Sequence, residues 1–295
     1  MIINSANLAL LYEGFNTSFN NGLGEAKSNW QSVAMEMPSS TRTTLYAWLA
    51  QLPSVRQWLG DRQIQNVSAH TYSIENKDFE LTISVPRNDI LDDQYGLFAP
   101  LFQDMGRACA VHPDQLVFGL LANGFTTLCY DGANFFDTAH PLYDVNGLVV
   151  GEVANVNPGA GPAWYLVDTS RAVKPLIYQM RQPYQMVAAV APEDPNVFNR
   201  KEFLYGVDAR SNVGFGFWQM AYASQNALTA DSYAAARAAM QALTGESGRP
   251  LGIKPDTMIV PPELEEAALQ ILNADRNAAG ASNVWAHTAN LVVTP

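Results

Sequence analysis

The segment Asp131-Gly132-Ala133-Asn134-Phe135-Phe136-Asp137-Thr138-Ala139-His140-Pro141 holds the chain's best candidates for catalysis. Asp137 and His140 can pair as base and orienter, with Thr138 or Ser170 as the nucleophile. The same residues also make a tight loop, tied by Asp and His hydrogen bonds and pinned by two phenylalanines, and this is the preferred reading. The four histidines, His70, His112, His140 and His287, are dispersed along the chain, which argues against a metal site. Cys109 and Cys129 are too few for a disulfide framework and read as buried thiols. Asp92-Asp93 offers carboxylate oxygens to a divalent ion. Adjacent helical residues do not face each other, however, and acids in a first turn need no metal. Lys77 is a candidate for an intersubunit contact or a covalent link to an Asn side chain, and equally a plain solvated turn residue. Gly22-Leu23-Gly24-Glu25-Ala26-Lys27 lacks the spacing of a phosphate loop. Paired cysteines, HExxH and GxSxG are absent from the sequence. The expectation is a protein that is not an enzyme, with no catalytic, metal or cofactor-binding residue.

The elements around these residues point elsewhere. Phe79, Leu81, Ile83 and Val85 alternate with Glu80, Thr82 and Ser84, the two-residue period of a half-buried strand. The run Ile64 to Ile74 is also strand-like, and Glu75-Asn76-Lys77-Asp78 is read as the polar tip of a long hairpin joining the two. After Pro86 the spacing of Leu97, Leu101, Met105 and Ala108 predicts a long helix, interrupted near Gly106 and Pro113 and ended by Asn123-Gly124. A long hairpin feeding a long helix suggests an arm that reaches a neighbouring molecule. Residues 1 to about 40 read as an arm with short apolar patches, broken at Pro38. Residues 44 to 59 read as two short helices split at Pro53. A loop-rich region follows, from Asp131 to Pro162. Strands are expected at 164–167, 176–180, 186–190, 203–208 and 214–218.

Towards the C-terminus, Thr229 is expected to cap a helix from Ala230 to Leu243, with Leu228 and Tyr233 as a hydrophobic staple. Tyr233, Ala236, Met240 and Leu243 form its buried stripe. Thr257-Met258-Ile259-Val260 reads as a buried strand. Pro261-Pro262 opens a helix with Leu264, Ala268, Ile271 and Leu272 inside, and Leu291-Val292-Val293 is a last strand. These pieces predict a compact α/β lobe distinct from the strand-rich middle.

Composition sets the class. The chain has 295 residues, 48% of them hydrophobic, enough to bury a real core. A net charge of −11 argues against a general binder of nucleic acid or acidic membranes. It leaves open a surface that lies near packed DNA without adhering to it. No apolar run is long enough to span a bilayer, and a soluble cytosolic protein is expected.

Several segments carry a family resemblance, in order and over nearly the whole chain. They include Ser39-Ser40-Thr41-Arg42, Tyr46-Ala47-Trp48-Leu49, Asn76-Lys77-Asp78-Phe79-Glu80 and Arg87-Asn88-Asp89. Phe102-Gln103-Asp104-Met105-Gly106-Arg107, Tyr130-Asp131-Gly132-Ala133-Asn134-Phe135-Phe136-Asp137 and Asp168-Thr169-Ser170-Arg171 continue the series, as do Glu202-Phe203-Leu204-Tyr205-Gly206 and Gly216-Phe217-Trp218-Gln219-Met220. In these the chain resembles the Mu-like phage major head subunit family.

The resemblance implies an α+β capsid fold of the Hong Kong 97 phage type. Its N-terminal arm would be residues 1–40, and 41–86 would hold the extended hairpin loop. Residues 87–226 would be the long spine helix and peripheral domain, and 227–295 the axial α/β domain with a returning C-terminal strand. The implied function is that of a major capsid protein. Pentamers and hexamers would close into an icosahedral shell around double-stranded DNA, in a virion assembled in the host cytoplasm. The implied partners are further copies of the chain, a separate scaffolding protein, a maturation protease, a portal protein and the packaged DNA, with no membrane. The hairpin residues Glu75, Asn76, Lys77, Asp78, Phe79, Leu81 and Ile83 would make inter-subunit contacts. Phe79→Asp or Ile83→Asp would then leave a folded subunit that forms no stable shell. An encapsulin-like compartment built on the same fold is the alternative.

Overall fold

The computed structural model describes residues 2–49, 72–92, 94–143, 148–245, 250–276 and 280–294. It opens with a 21-residue helix, α1 (Ser5–Glu25), whose N-terminus is capped by the Asn4 side chain accepting from the Asn7 amide. Leu8, Leu11, Phe15, Phe19 and Gly22 form its buried face. The segment read as an arm with apolar patches is therefore largely helical. Its polar residues line the exposed face and dilute the helical period. Next come α2 (Trp30–Val33), β1 (Ala34–Pro38), β2 (Thr43–Leu45), β3 (Ser73–Glu75) and β4 (Lys77–Pro86). Pro38 ends β1, at the break expected there.

The expected long helix is split. A short α3 (Arg87–Leu91) and a 3-10 turn, Tyr95–Phe98, precede the 24-residue α4 (Ala99–Ala122), which Asn123 closes. Gly106 and Pro113 do not interrupt α4. Pro113 sacrifices one amide donor while the turns on either side continue. Gly106 is where α1 crosses: a Cβ there would lie 2.0 Å from the Phe19 carbonyl oxygen. At Gly22 a Cβ would lie 1.8 Å from the Gln103 carbonyl oxygen. The inward stripe of α4 is Phe102, Met105, Cys109, Val117 and Leu121. Leu97 and Leu101, expected on that stripe, are largely exposed.

The remaining elements are β5 (His140–Tyr143), β6 (Val149–Val153), β7 (Val156–Asn157), β8 (Trp164–Val167), β9 (Leu176–Ala189), α5 (Pro195–Arg200), β10 (Glu202–Phe215), β11 (Ala221–Ser224), α6 (Ala230–Gln241), β12 (Thr257–Val260), α7 (Glu265–Leu272) and β13 (Asn290–Val293). Two larger sheets result, with orders β1-β9-β10-β4 and β13-β12-β8-β11-β7. The strands expected at 176–180 and 186–190 are one 14-residue strand, β9. Those at 203–208 and the start of 214–218 likewise merge into β10. Pro183 is tolerated because the β9–β10 register shifts between Gln185 and Gln182.

Among the described residues, β3 and β4 do not pair with each other as the expected hairpin would have them. β4 pairs instead with β10, from Lys77 opposite Ser211 to Pro86 opposite Glu202, and β3 pairs with β2. The alternation in β4 correctly marks a half-buried face, but alternation does not name a partner. β10 supplies the matching apolar row of Phe203, Tyr205, Val207 and Ala209. Residues 64–71 of the expected hairpin lie outside the described residues. Of the two helices expected in 44–59, Thr43–Leu45 is strand, residues 47–49 form a turn, and the rest lies outside the described residues.

The C-terminal elements follow the sequence closely. Thr229 caps α6, Leu228 and Tyr233 are both buried, and Ala236, Met240 and Leu243 complete the stripe. Thr257–Val260 and Asn290–Val293 are strands, and Ala268, Ile271 and Leu272 are the buried face of α7. They do not stand as a separate lobe, because β12 pairs with β8 in one sheet. A two-stranded sheet of four-residue strands is too small to stand alone.

Among the described residues there are two buried clusters. One surrounds the five-stranded sheet, with Trp164, Phe135, Phe215, Trp218 and Tyr233 among its largest members. The other lies between α1, α4 and the long strands, where Phe15 stacks on Phe102 at 4.2 Å with Tyr205 edge-on to both. The α1–α4 crossing generates a test. Alanine for glycine in an exposed helix interior adds about 1 kcal/mol of stability. At Gly106 the sign inverts: Gly106→Ala is expected to cost roughly 1–3 kcal/mol by pushing α1 off α4, read as a lower urea midpoint.

Candidate functional site

His140 stands at the start of β5, fully buried, and its partner is Asp131 rather than Asp137. Nδ1 lies 2.7 Å from Asp131 Oδ2, and Nε2 lies 3.2 Å from Asn155 Oδ1. The ring stacks on Trp218 at 4.0 Å, nearly parallel. Asn155 is oriented by its own amide, whose nitrogen donates to the carbonyls of Phe135, Trp218 and Ala221. Asp131 also accepts from the Cys129 thiol at 3.0 Å and from the Ala133 amide at 3.0 Å. Burial raises the Asp131 carboxyl, but hydrogen bonds from His140 and Cys129, the His140 ring's proximity and the Ala133 amide outweigh it. The carboxyl is held below the usual range. Burial, then the neighbouring Asp131, pushes the Cys129 thiol strongly up, so it is no nucleophile.

This node cannot run the chemistry that the sequence allowed. His140 faces a partner with each nitrogen and has no surface open to a substrate. Asp137 accepts from the Asn134 and Ala139 amides, a local turn. Ser170 donates to Asp168 at 2.6 Å, and Thr138 is exposed. The loop pinned by Phe135 and Phe136 is what forms, with both rings buried. Cys129, Asp131 and His140 place ligand atoms within 4.8 Å of one another. The Nδ1···Oδ2 contact of 2.7 Å is that of a hydrogen bond. Two ligands of one tetrahedral zinc stand about 3.3 Å apart. Asp92 is exposed beyond the last turn of α3, not in a first turn, and Asp93 lies outside the described residues.

The segment expected to reach a neighbour divides into an inward and an outward set. Asn76 is buried between β3 and β4: its amide donates to Ser39 Oγ and the Thr41 carbonyl and accepts from Gln179 Nε2 at 2.8 Å. Gln179 in turn accepts from the Tyr46 hydroxyl at 2.7 Å. Glu75 is exposed and pairs with Arg42, and Asp78 pairs with Arg210. Phe79 packs edge-on against His112 of α4 at 4.3 Å, and Ile83 leans on the second core. Lys77 and Glu80 are exposed, as is Leu81, at 38%. Among the described residues β4 forms the edge of its sheet, leaving its outer backbone groups open; Lys77 and Leu81 lie on the face of Phe79 and Ile83, and Glu80 lies on the opposite face. Sequence reasoning missed Gln179, Tyr46, Asn155 and Trp218. Only Asp131 was within local reach of the residue it serves.

Along the chain, residues 8–295 match the family described as Mu-like prophage major head subunit gpT. The protein is 43% identical to the major capsid protein of Escherichia phage Mu, over 96% of this chain and 95% of that one. It overlays on the procapsid of bacteriophage JBD30 with a TM-score of 0.89, at 42% identity and over 99% of each chain. On the JBD30 capsid the TM-score is 0.81, at 30% identity, over 100% of this chain and 99% of that one.

The histidine node predicts an acid-sensitive fold. Because the folded Asp131 carboxyl titrates below its unfolded value, its stabilisation is fully present above about pH 4 and fades as pH falls through the folded value. Asp131→Asn is expected to cost roughly 1–3 kcal/mol at neutral pH. Denaturant titrations at neutral pH and near pH 3 should show the gap to the unmodified protein closing in acid.

Proposed function

We propose that this chain, which belongs to the Mu-like prophage major head subunit family, is the major capsid protein of a Mu-like phage and builds the shell of its head. The observation that carries this is the match over residues 8–295, joined to a common α+β capsid fold of the Hong Kong 97 type with the JBD30 head proteins. It is a structural component of the virion, not an enzyme, and the closed histidine node is consistent with that. Among the described residues no helix is long and apolar enough to cross a membrane.

The finer reading concerns assembly. Pentamers and hexamers close an icosahedral shell around double-stranded DNA, with a separate scaffolding protein, a maturation protease and a portal protein as partners. The supporting features are physical. Closed shells need repeated contacts whose rotations close, and several modest contacts per subunit add as avidity. The net charge of −11 limits adhesion of packaged DNA to the wall. In this reading residues 1–40 are the arm, 41–86 the extended region, 87–226 the spine helix and peripheral domain, and 227–295 the axial domain, whose sheet is completed by β8, β11 and β7. The edge of β4 and the adjoining end of β3 meet a neighbour through Glu75, Lys77, Asp78 and Leu81, with Phe79 and Ile83 on the face of Leu81 beside them and Asn76 holding the strand's entry.

Leu81 is the cleanest probe, being the most exposed apolar residue of the strand. Leu81→Asp is expected to change stability by less than about 1 kcal/mol while removing shells from electron micrographs of protein co-expressed with its assembly partners. Shells of normal yield and diameter would remove β4 from the contact set.

A further inference from the structure

The first core, around the five-stranded sheet, and the second, beneath α1, adjoin at one level of the molecule. The long elements α4, β9 and β10 cross between them, and each is weakened there. In α4, Cys109 belongs to the second core and Val117 to the first, and the buried Pro113 between them withholds one amide from the helix. In β9, Tyr178 lies in the first core and Met186 in the second, with Pro183 between them. β10 runs the opposite way, from Val207 in the second core to Phe215 in the first. The register breaks at the same level. Asp208 faces Gln185 and Arg210 faces Gln182, so Ala209 alone stands against Pro183 and Tyr184. β4 begins at this level, at Lys77, and continues beside the second core.

Three side chains meet across this level, one each from α4, β9 and β4. His112, which precedes Pro113, has Nδ1 3.0 Å from the hydroxyl of Tyr184, which follows Pro183. The Phe79 ring packs edge-on against the same imidazole, 4.3 Å away. All three residues are half-buried. Burial holds the His112 pKa below its usual range, so the ring is uncharged at neutral pH. A hydrogen bond between two neutral groups contributes modestly and opens readily. We propose that this level is a hinge between the two cores, and that the bond between His112 and Tyr184 is its latch. Each half keeps its own shape, fixed by its own core, while the angle between the halves changes. A missing helix bond and a shifted ladder leave the least backbone to resist such bending. The use of the hinge rests on the shell reading. Subunits around five-fold and six-fold centres meet their neighbours at different angles, and a hinge lets one sequence serve both.

The test reads the angle as a distance. Nitroxides at Thr17→Cys of α1 and Ala235→Cys of α6, both exposed positions on opposite sides of the hinge, are measured in the purified full chain by double electron–electron resonance. Cys109 and Cys129 are buried, with thiols pushed up in pKa, and stay unlabelled. Tyr184→Phe removes the hydroxyl and keeps the ring, and should widen the distance distribution at least about twofold. Pro113→Ala with Pro183→Thr returns an amide donor to helix and strand, and should narrow the distribution to about half. Melting within about 4 °C of the unmodified protein shows that each variant is folded. A width unchanged in either variant overturns the hinge. In shells assembled with the natural partners, the stiffened double variant should lower the yield of closed shells at least about tenfold. Normal yield from a chain whose distribution has narrowed would overturn the hinge's role in assembly. If the unmodified chain makes no shells, the shell reading fails, while the distance widths still decide the hinge.

Discussion

The β9–β10 ladder is the constraint on which the rest of the fold depends. Both strands are 14 residues long, and they run through both buried clusters. At one end Leu176, Ile177, Tyr178 and Phe215 belong to the core around the five-stranded sheet. At the other, Met186, Phe203, Tyr205 and Val207 belong to the core beneath α1 and α4. An antiparallel pair of that length, shifted in register near Pro183, links the two cores. β1 and β4 are positioned on either side of it, one by parallel and one by antiparallel pairing. The α4 helix spans the same two cores, with Phe102 and Met105 in one and Val117 and Leu121 in the other. Strand pair and helix together connect the two cores.

Irregular segments are tied to this frame by buried polar nodes. Gln179, within β9, receives the Tyr46 hydroxyl and donates to Asn76, holding both sides of the crossover from the small β2–β3 pair to β4. His140, Asp131 and Asn155 do the same for the loop after α4, with Trp218 as a flat support. In each node the side-chain groups find partners, so burial incurs little uncompensated desolvation. Groups with the chemical types of an active site serve here as fasteners. A subunit whose halves each keep one shape across many copies gains more from such fasteners than from an open, reactive histidine.

The surface carries the complementary information. The charge balance is acidic, and exposed large apolar residues are scattered, with Leu10 on α1, Val187 within β9, Leu81 on β4 and Phe198 on the turn before β10 among them. Single exposed apolar residues are ordinary on protein surfaces.

Local signals were legible where neighbours along the chain decide the outcome. The cap at Thr229, the stripe of α6, the strands Trp164–Val167 and Thr257–Val260, and the end of α4 at Asn123 all follow from residues within one or two turns. The order of motifs along the chain also pointed to the family and its capsid fold. Partner choice was not legible. Alternation in Phe79 to Val85 marked a buried face, but only the tertiary structure assigned it to β10 rather than to an adjacent strand. Gly106 looked like a helix breaker because sequence shows its lack of a side chain but not the Phe19 carbonyl that occupies the vacated space. His140 could be paired with Asp137 on spacing alone, yet packing against Trp218 and Asn155 turns it to Asp131. The sequence by itself determined elements such as α6, β8 and β12 and their apolar faces, because those depend on local backbone sterics and side-chain period. Which faces meet, and which polar groups close on one another, depended on contacts between residues far apart in the chain, and only the tertiary structure decided them.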